Sequence, residues 1–174
     1  MDAQSERKKW MEVHDYFELN NQEYWRDEIR KSDWRAAAFL CELLTENRFF
    51  EHVGDPAKLL LLTEGEELMA FCTYAPKDEI DDPSLTPWVG FVYTFPKFRG
   101  ARRMGKLVEY AYGLAKKEGH PFLYVSTEEE GLYEKYGFTY WKDMKSIYGG
   151  TSRVYRMIVE NKDYSDVIGR RVKE

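Results

Sequence analysis

Histidine and cysteine are scarce in this chain, and their scarcity removes several chemistries at once. Its 174 residues include three histidines and two cysteines. Cys41 and Cys72 both lie in apolar segments, so buried thiols are expected, not a disulfide or a metal pair. His14, His52 and His120 are scattered and read as incidental surface residues, so no zinc pattern is present and no metal is expected. Long apolar runs are also missing. The longest, Leu59 to Leu62 and Ala36 to Cys41, fall far short of the roughly 18 residues of a membrane-spanning helix, so no membrane partner is expected. Met1 to Lys9 is charged and lacks the apolar stretch of a signal peptide, which points to a cytoplasmic protein. The net charge of −5 argues against general nucleic-acid binding and suits a cationic substrate.

What is present suffices for a substantial core. Hydrophobic residues make up 43% and aromatics 16%, so the chain folds, and one domain spanning 1–174 is the expectation for this length. Trp10 to Leu19 reads as a first strand. Asn20 or Asn21 can cap a helix running to about Arg30, and Ser32 or Asp33 a second from Trp34 to about Asn47, broken at Gly54-Asp55-Pro56. Lys58 to Thr63 and Glu67 to Tyr74 read as a β-hairpin turning at Gly65. The loop from Pro76 to Pro87 carries Asp78, Glu79, Asp81 and Asp82, either as a solvated loop or as an acidic rim for an amine. Trp88 to Thr94, Phe122 to Thr127, Phe138 to Met144 and Arg153 to Val159 read as further strands, Gly131 to Gly137 as a short helix stopped by glycine, and Glu160 to Glu174 as a polar, peripheral tail.

These elements predict a mixed α/β fold: six or seven short strands, mostly antiparallel, with about four helices. Between Thr94 and Phe122 a long helix intervenes, so those two strands should run parallel, joined right-handedly. That helix has Met104, Leu107, Val108, Ala111, Leu114 and Ala115 on one face and stops at Gly119. Lys97, Arg99, Arg102, Arg103 and Lys106 flank its start, and no acid interrupts residues 97–106. A helix start offers free N–H groups and a positive dipole end, so either a phosphate-bearing ligand sits here or the loop is simply basic and solvated.

Two segments resemble the GNAT superfamily of acyl-CoA-dependent N-acyltransferases. Pro96-Lys-Phe-Arg-Gly-Ala-Arg-Arg-Met-Gly-Lys-Leu-Val108 is similar to the family's pattern Arg-Gly-x-Gly-x-Gly-x-x-Leu, which binds the coenzyme A pyrophosphate. Leu132-Tyr-Glu-Lys-Tyr-Gly-Phe138 closely resembles its Leu-Tyr-Glu-Lys-x-Gly-Phe element. The resemblance covers about 88–144 well and the earlier elements loosely. It implies a GNAT-like single domain with a cofactor-binding core at about 88–144 and acetyl-CoA as cosubstrate. By the same resemblance, backbone groups of Val92, Tyr93 and Thr94 would hold the pantetheine arm. Arg99, Gly100, Ala101, Arg102, Arg103, Met104 and Gly105 would surround the pyrophosphate. Arg102 and Met104 stand where the family has its second and third glycines, which is permitted if both are right-handed helical.

Tyr133 matches the family's tyrosine that protonates the departing thiolate. The alternative for Tyr133 is a core aromatic, and Tyr136 reads as packing. Candidate bases are Glu128, Glu129 and Glu130, or Asp81 and Asp82 through water, and Ser126 and Thr127 could touch the pantetheine arm. The implied activity is acetyl transfer to the primary amine of a small molecule, by direct attack in a ternary complex. A non-catalytic acyl-CoA-binding or sensor protein on the same fold is the alternative. The acceptor and a homodimeric state stay open.

Overall fold

Seven strands form one sheet in the computed structural model, which describes residues 10–172. The strands are β1 (Met11–Asp15), β2 (Lys58–Glu64), β3 (Glu67–Ala75), β4 (Trp88–Thr94), β5 (Phe122–Thr127), β6 (Thr139–Lys145) and β7 (Thr151–Ile158). Their order is β1-β2-β3-β4-β5-β7-β6, and every pairing is antiparallel except β4 with β5. The helices are α1 (Gln22–Arg30), α2 (Arg35–Thr45), α3 (Phe49–Val53), α4 (Met104–Lys117) and α5 (Tyr164–Val172).

The leucine run of β2 shows how the sheet is covered on both faces. Successive side chains of a strand alternate between faces, so an unbroken apolar run needs cover on both. Leu59 and Leu61 pack with α1, α2 and α3, through Trp25, Ile29, Leu40, Leu43 and Phe49. Leu60 and Leu62 pack with α4, through Met104, Leu107, Val108 and Ala111. The stripe expected for α4 is buried apart from Leu114, which is partly buried, and Tyr112 joins it. The β2–β3 hairpin turns at Gly65, whose φ is +62°.

Three expectations need correction. The tail is not merely peripheral: α5 forms there, Tyr164 is buried, and its hydroxyl donates to the Tyr136 carbonyl at 2.6 Å. Neither Ser32 nor Asp33 caps α2, whose cap residue is Trp34. The Ser32 hydroxyl instead donates to the Ile29 carbonyl at 2.9 Å and helps to close α1. The short helix expected before Gly137 is a 3₁₀ turn, Tyr133–Tyr136, ended by Gly137 at φ +102°. Cys41 and Cys72 are both buried free thiols. Among the described residues no helix is long and apolar enough to cross a membrane.

Candidate active site

The sheet is split at its one parallel junction. β4 and β5 pair only at Trp88–Tyr124 and Val89–Val125. An irregularity on β4 helps to part them: Phe91 and Val92 together lie opposite Cys72, and Phe91 takes a left-handed φ of +46°. Such a bulge bends its strand and increases the local twist. A cavity of about 980 Å³ lies at the gap and reaches both faces of the sheet.

On the α4 face the cavity is bounded by the loop that carries the cations. Inside the helix, the Gly105 N–H bonds the Arg102 carbonyl at 3.0 Å and the Lys106 N–H bonds the Arg103 carbonyl at 3.0 Å. The N–H groups just ahead of Gly105 have no preceding helical turn to donate to. Gly100 is left-handed at φ +88°, and so is Arg102 at φ +51°. Right-handed geometry therefore excuses the missing glycine at Met104, the first residue of α4, but not at Arg102. Arg99, Ala101 and Arg102 are exposed, and Gly105 lies against the Tyr136 ring, where an added Cβ would be 3.4 Å away. Arg103 rests on the Phe98 ring at 5.4 Å, and its Nε is buried without a hydrogen-bond partner among the described residues. Arg99 Nε donates to the Thr94 carbonyl at 2.8 Å and its guanidinium covers the Tyr93 ring. This pins the basic loop to the end of β4. Val92, Tyr93 and Thr94 line the cavity, half-buried.

Tyr133 and Tyr136 line the same cavity. Tyr133 is 6% exposed, packed edge-on against Phe138. Burial above all raises its pKa, with Glu129 and Asp78 adding to the effect, so the phenol keeps its proton throughout the working pH range. Gly137 allows the turn to end there: a Cβ would meet Met157 Sδ at 2.9 Å.

The carboxylates differ from those the sequence suggested. Asp81 and Asp82 line a neighbouring depression, and Asp82 is engaged by Ser84. Glu130 pairs with Arg153 at 3.1 Å, while Glu128 and Glu129 are exposed on the cavity lining. The inward-turned acids are Asp78 and Glu79, and the loop before β4 places them against β5 and β7. Ser126 Oγ is 2.9 Å from both Asp78 Oδ2 and Glu79 Oε2, and Ser152 Oγ donates to Glu79 Oε1. A hydroxyl has one proton. Ser126 can therefore satisfy both acids only when one carboxyl is itself protonated. Gly90 makes the arrangement possible, because a Cβ there would lie 2.1 Å from Asp78 Oδ1. Burial lifts the Asp78 pKa to about 6. Ser126, which the sequence offered either to the pantetheine arm or as an ordinary strand-end hydroxyl, bonds the two acids. Nothing in the local acid run distinguishes Asp78 from Asp81. The available signal was Gly90, a glycine inside a strand, which marks a close approach.

The face opposite α4 is aromatic. Trp34 stacks on Tyr93 at 5.6 Å, and Phe39 stacks on Phe91 at 6.4 Å. His52 is not an incidental surface residue. It meets Phe39 edge-on at 5.0 Å, and its Nε2 is 2.9 Å from the Tyr148 hydroxyl. Burial first, then Arg48 and Lys77, lower its pKa and favour the neutral ring. Among the described residues no group of three His, Cys, Asp or Glu is placed to hold a metal.

The cavity is thus a cleft through a split sheet, cationic at a helix start on one face and acidic at its centre. The GNAT acetyltransferase family model matches residues 10–138, and the chain belongs to that family. No curated protein matches the sequence. Among solved structures, a GNAT-family acetyltransferase from Elizabethkingia anophelis with acetyl-CoA bound is 16% identical, with a TM-score of 0.59 over 85% of this chain and 97% of that one. An aminoglycoside 6′-N-acetyltransferase complexed with coenzyme A is 14% identical, with a TM-score of 0.61 over 87% and 99%. An acetyltransferase from Salmonella typhimurium that modifies the N-terminal serine of a ribosomal protein is 11% identical, with a TM-score of 0.61 over 86% and 95%. At these identities the likeness is one of fold.

Proposed function

We propose that this chain is an acetyl-CoA-dependent N-acetyltransferase that modifies a primary amine of a small molecule by direct attack in a ternary complex. It works as one unit, 1–174, with its cofactor-binding core at about 88–144. The observation that carries the reading is a single cavity shared by the cationic start of α4, the Tyr133 phenol and the half-buried, inward-turned Asp78–Glu79 pair. The residues present fit the cosubstrate. Unspent N–H groups ahead of Gly105 and the unpartnered Arg103 Nε suit a diphosphate. Beyond Val89, β4 has no β5 partner, so backbone groups of Val92, Tyr93 and Thr94 can bond the amides of pantetheine as a strand would.

When bound, acetyl-CoA supplies an activated acyl carbon. Asp78 takes a proton from the incoming ammonium and Ser126 relays hydrogen bonding to Glu79, which leaves a neutral amine for attack. The new C–N bond forms as the C–S bond breaks. Tyr133 gives its proton to the departing sulfur and recovers one, through water, from the nitrogen. A phenol is a weaker acid than a thiol, so the position of Tyr133 matters more than its acidity. The two buried thiols suit a reducing compartment, and we place the protein in the cytoplasm. The test is calorimetry with acetyl-CoA, followed by thiol release across amine classes. Binding with turnover is expected. Binding with no thiol release from any amine would favour a sensor, and no binding would end the acyl-transfer reading.

A further inference from the structure

Resting on that reading, we infer that the acceptor is a monoamine with a flat, apolar body and no carboxylate. Its nitrogen reaches Asp78 and Glu79, and its body lies on the aromatic wall of Trp34, Phe39, Phe91 and Tyr148.

Three observations carry this inference. Trp34, Phe39 and Phe91 line the cavity and remain only half-buried, although each is large and apolar. Their neighbours hold them in fixed poses: Trp34 on Tyr93, Phe39 on Phe91 and His52. A rigid apolar surface facing a cleft gains most from a ligand that is itself apolar and flat. Second, the cations of the cavity are segregated. Arg102 and Arg103 belong to the loop before α4 and Lys135 to the 3₁₀ turn; Arg99 lies over Tyr93, at the Trp34 end of the aromatic side, with its Nε spent on the Thr94 carbonyl, while beside Phe39, Phe91 and Tyr148 the cavity lining offers only His52, whose environment favours the neutral ring. A carboxylate on an acceptor lying against Phe39, Phe91 and Tyr148 would therefore be desolvated without a partner, which is unfavourable. Third, the wall is fastened to the acids. The Ile147 N–H donates to the Glu79 carbonyl at 2.8 Å, and Ile80 forms a β-bridge with Ser146. The loop that carries Tyr148 thus holds a set distance from the carboxyl pair. One inward acidic pair serves one amine, while Glu128 and Glu129 line the cavity with their side chains exposed.

The test uses the full chain. Acetyl-CoA binding is first measured by calorimetry, and thiol release is then followed with 2-phenylethylamine, ethylamine, phenylalanine and spermidine. The expected result is a kcat/KM for 2-phenylethylamine at least about tenfold above that for ethylamine, reflecting one buried ring. The same preference is expected over phenylalanine, which has the same body plus a carboxylate. In Trp34→Ala and in Phe39→Ala, checked for folding by melting temperature, the ratio of 2-phenylethylamine to ethylamine should collapse about tenfold while the acetyl-CoA affinity holds. Equal or better turnover of ethylamine, phenylalanine or spermidine would overturn the inference and leave acetyl transfer standing. So would intact cosubstrate binding with none of the four amines consumed. Loss of acetyl-CoA binding in the unmodified chain would remove both.

Discussion

Replacing Asp78 by asparagine should make the protein more stable at pH 8 and less active. Burial moves this carboxyl from 3.8 to about 6, and each pKa unit corresponds to about 1.4 kcal/mol. Ionising Asp78 in place therefore costs up to about 3 kcal/mol; the side chain is partly exposed to cleft water, so about 1–3 kcal/mol is expected. The sign follows from proton counts. Between about pH 4 and pH 6 the native state holds a proton on Asp78 that the unfolded chain has lost, so this group makes stability fall as pH rises through that window and has no further effect above it. Asparagine has the hydrogen-bonding shape of the protonated acid. Its amide can donate to Ser126 Oγ while Ser126 donates to Glu79, preserving the contacts seen at 2.9 Å. Urea unfolding of both proteins from pH 4 to pH 8 should give curves that coincide near pH 4 and separate by about 1–3 kcal/mol by pH 7, with the variant higher. In parallel, kcat/KM should fall by about 10²–10⁴, and the acidic limb near pH 6 should vanish. A variant less stable at pH 8, or an acidic limb that persists in it, would refute the assignment.

Other substitutions probe the rest of the cleft. Tyr133→Phe should bind acetyl-CoA as before and lose about 10²-fold or more in kcat; unchanged turnover by thiol release would remove the phenol from the mechanism. Gly90→Ala places a Cβ 2.1 Å from Asp78 Oδ1, so it should expel that carboxylate and reproduce the activity loss of Asp78→Asn with acetyl-CoA affinity little changed by calorimetry. Arg102→Gly relieves a left-handed backbone at φ +51° and should gain about 0.5–1 kcal/mol in thermal unfolding, while weakening acetyl-CoA binding several-fold through the lost guanidinium. Tyr164→Phe deletes the 2.6 Å bond to the Tyr136 carbonyl and should cost about 1 kcal/mol, since it unclamps the turn that carries Tyr133.

Much of this architecture is visible in the chain because its causes are local. The apolar spacing from Met104 to Ala115 specifies α4, Gly65 specifies the β2–β3 hairpin, and the cations from Lys97 to Lys106 mark the start of the long helix. Periodicity, turn conformation and charge all act within a few residues, so a linear reading captures them. Three features escaped it. Tyr164 looks like a lone aromatic in a polar tail until it docks on Tyr112 and Tyr136. His52 is unremarkable until the β6–β7 loop brings Tyr148 to its ring nitrogen, 96 positions away. Asp78 is one of four acids in a single loop, and its selection depends on Ser126, 48 positions on, and on the bare backbone at Gly90. The family, the fold class and the helix start were determined by short-range pattern. Which carboxylate faces the cleft, and what surrounds it, was decided only by the packed sheet, because burial and hydrogen bonding between distant strands exist only once those strands have met.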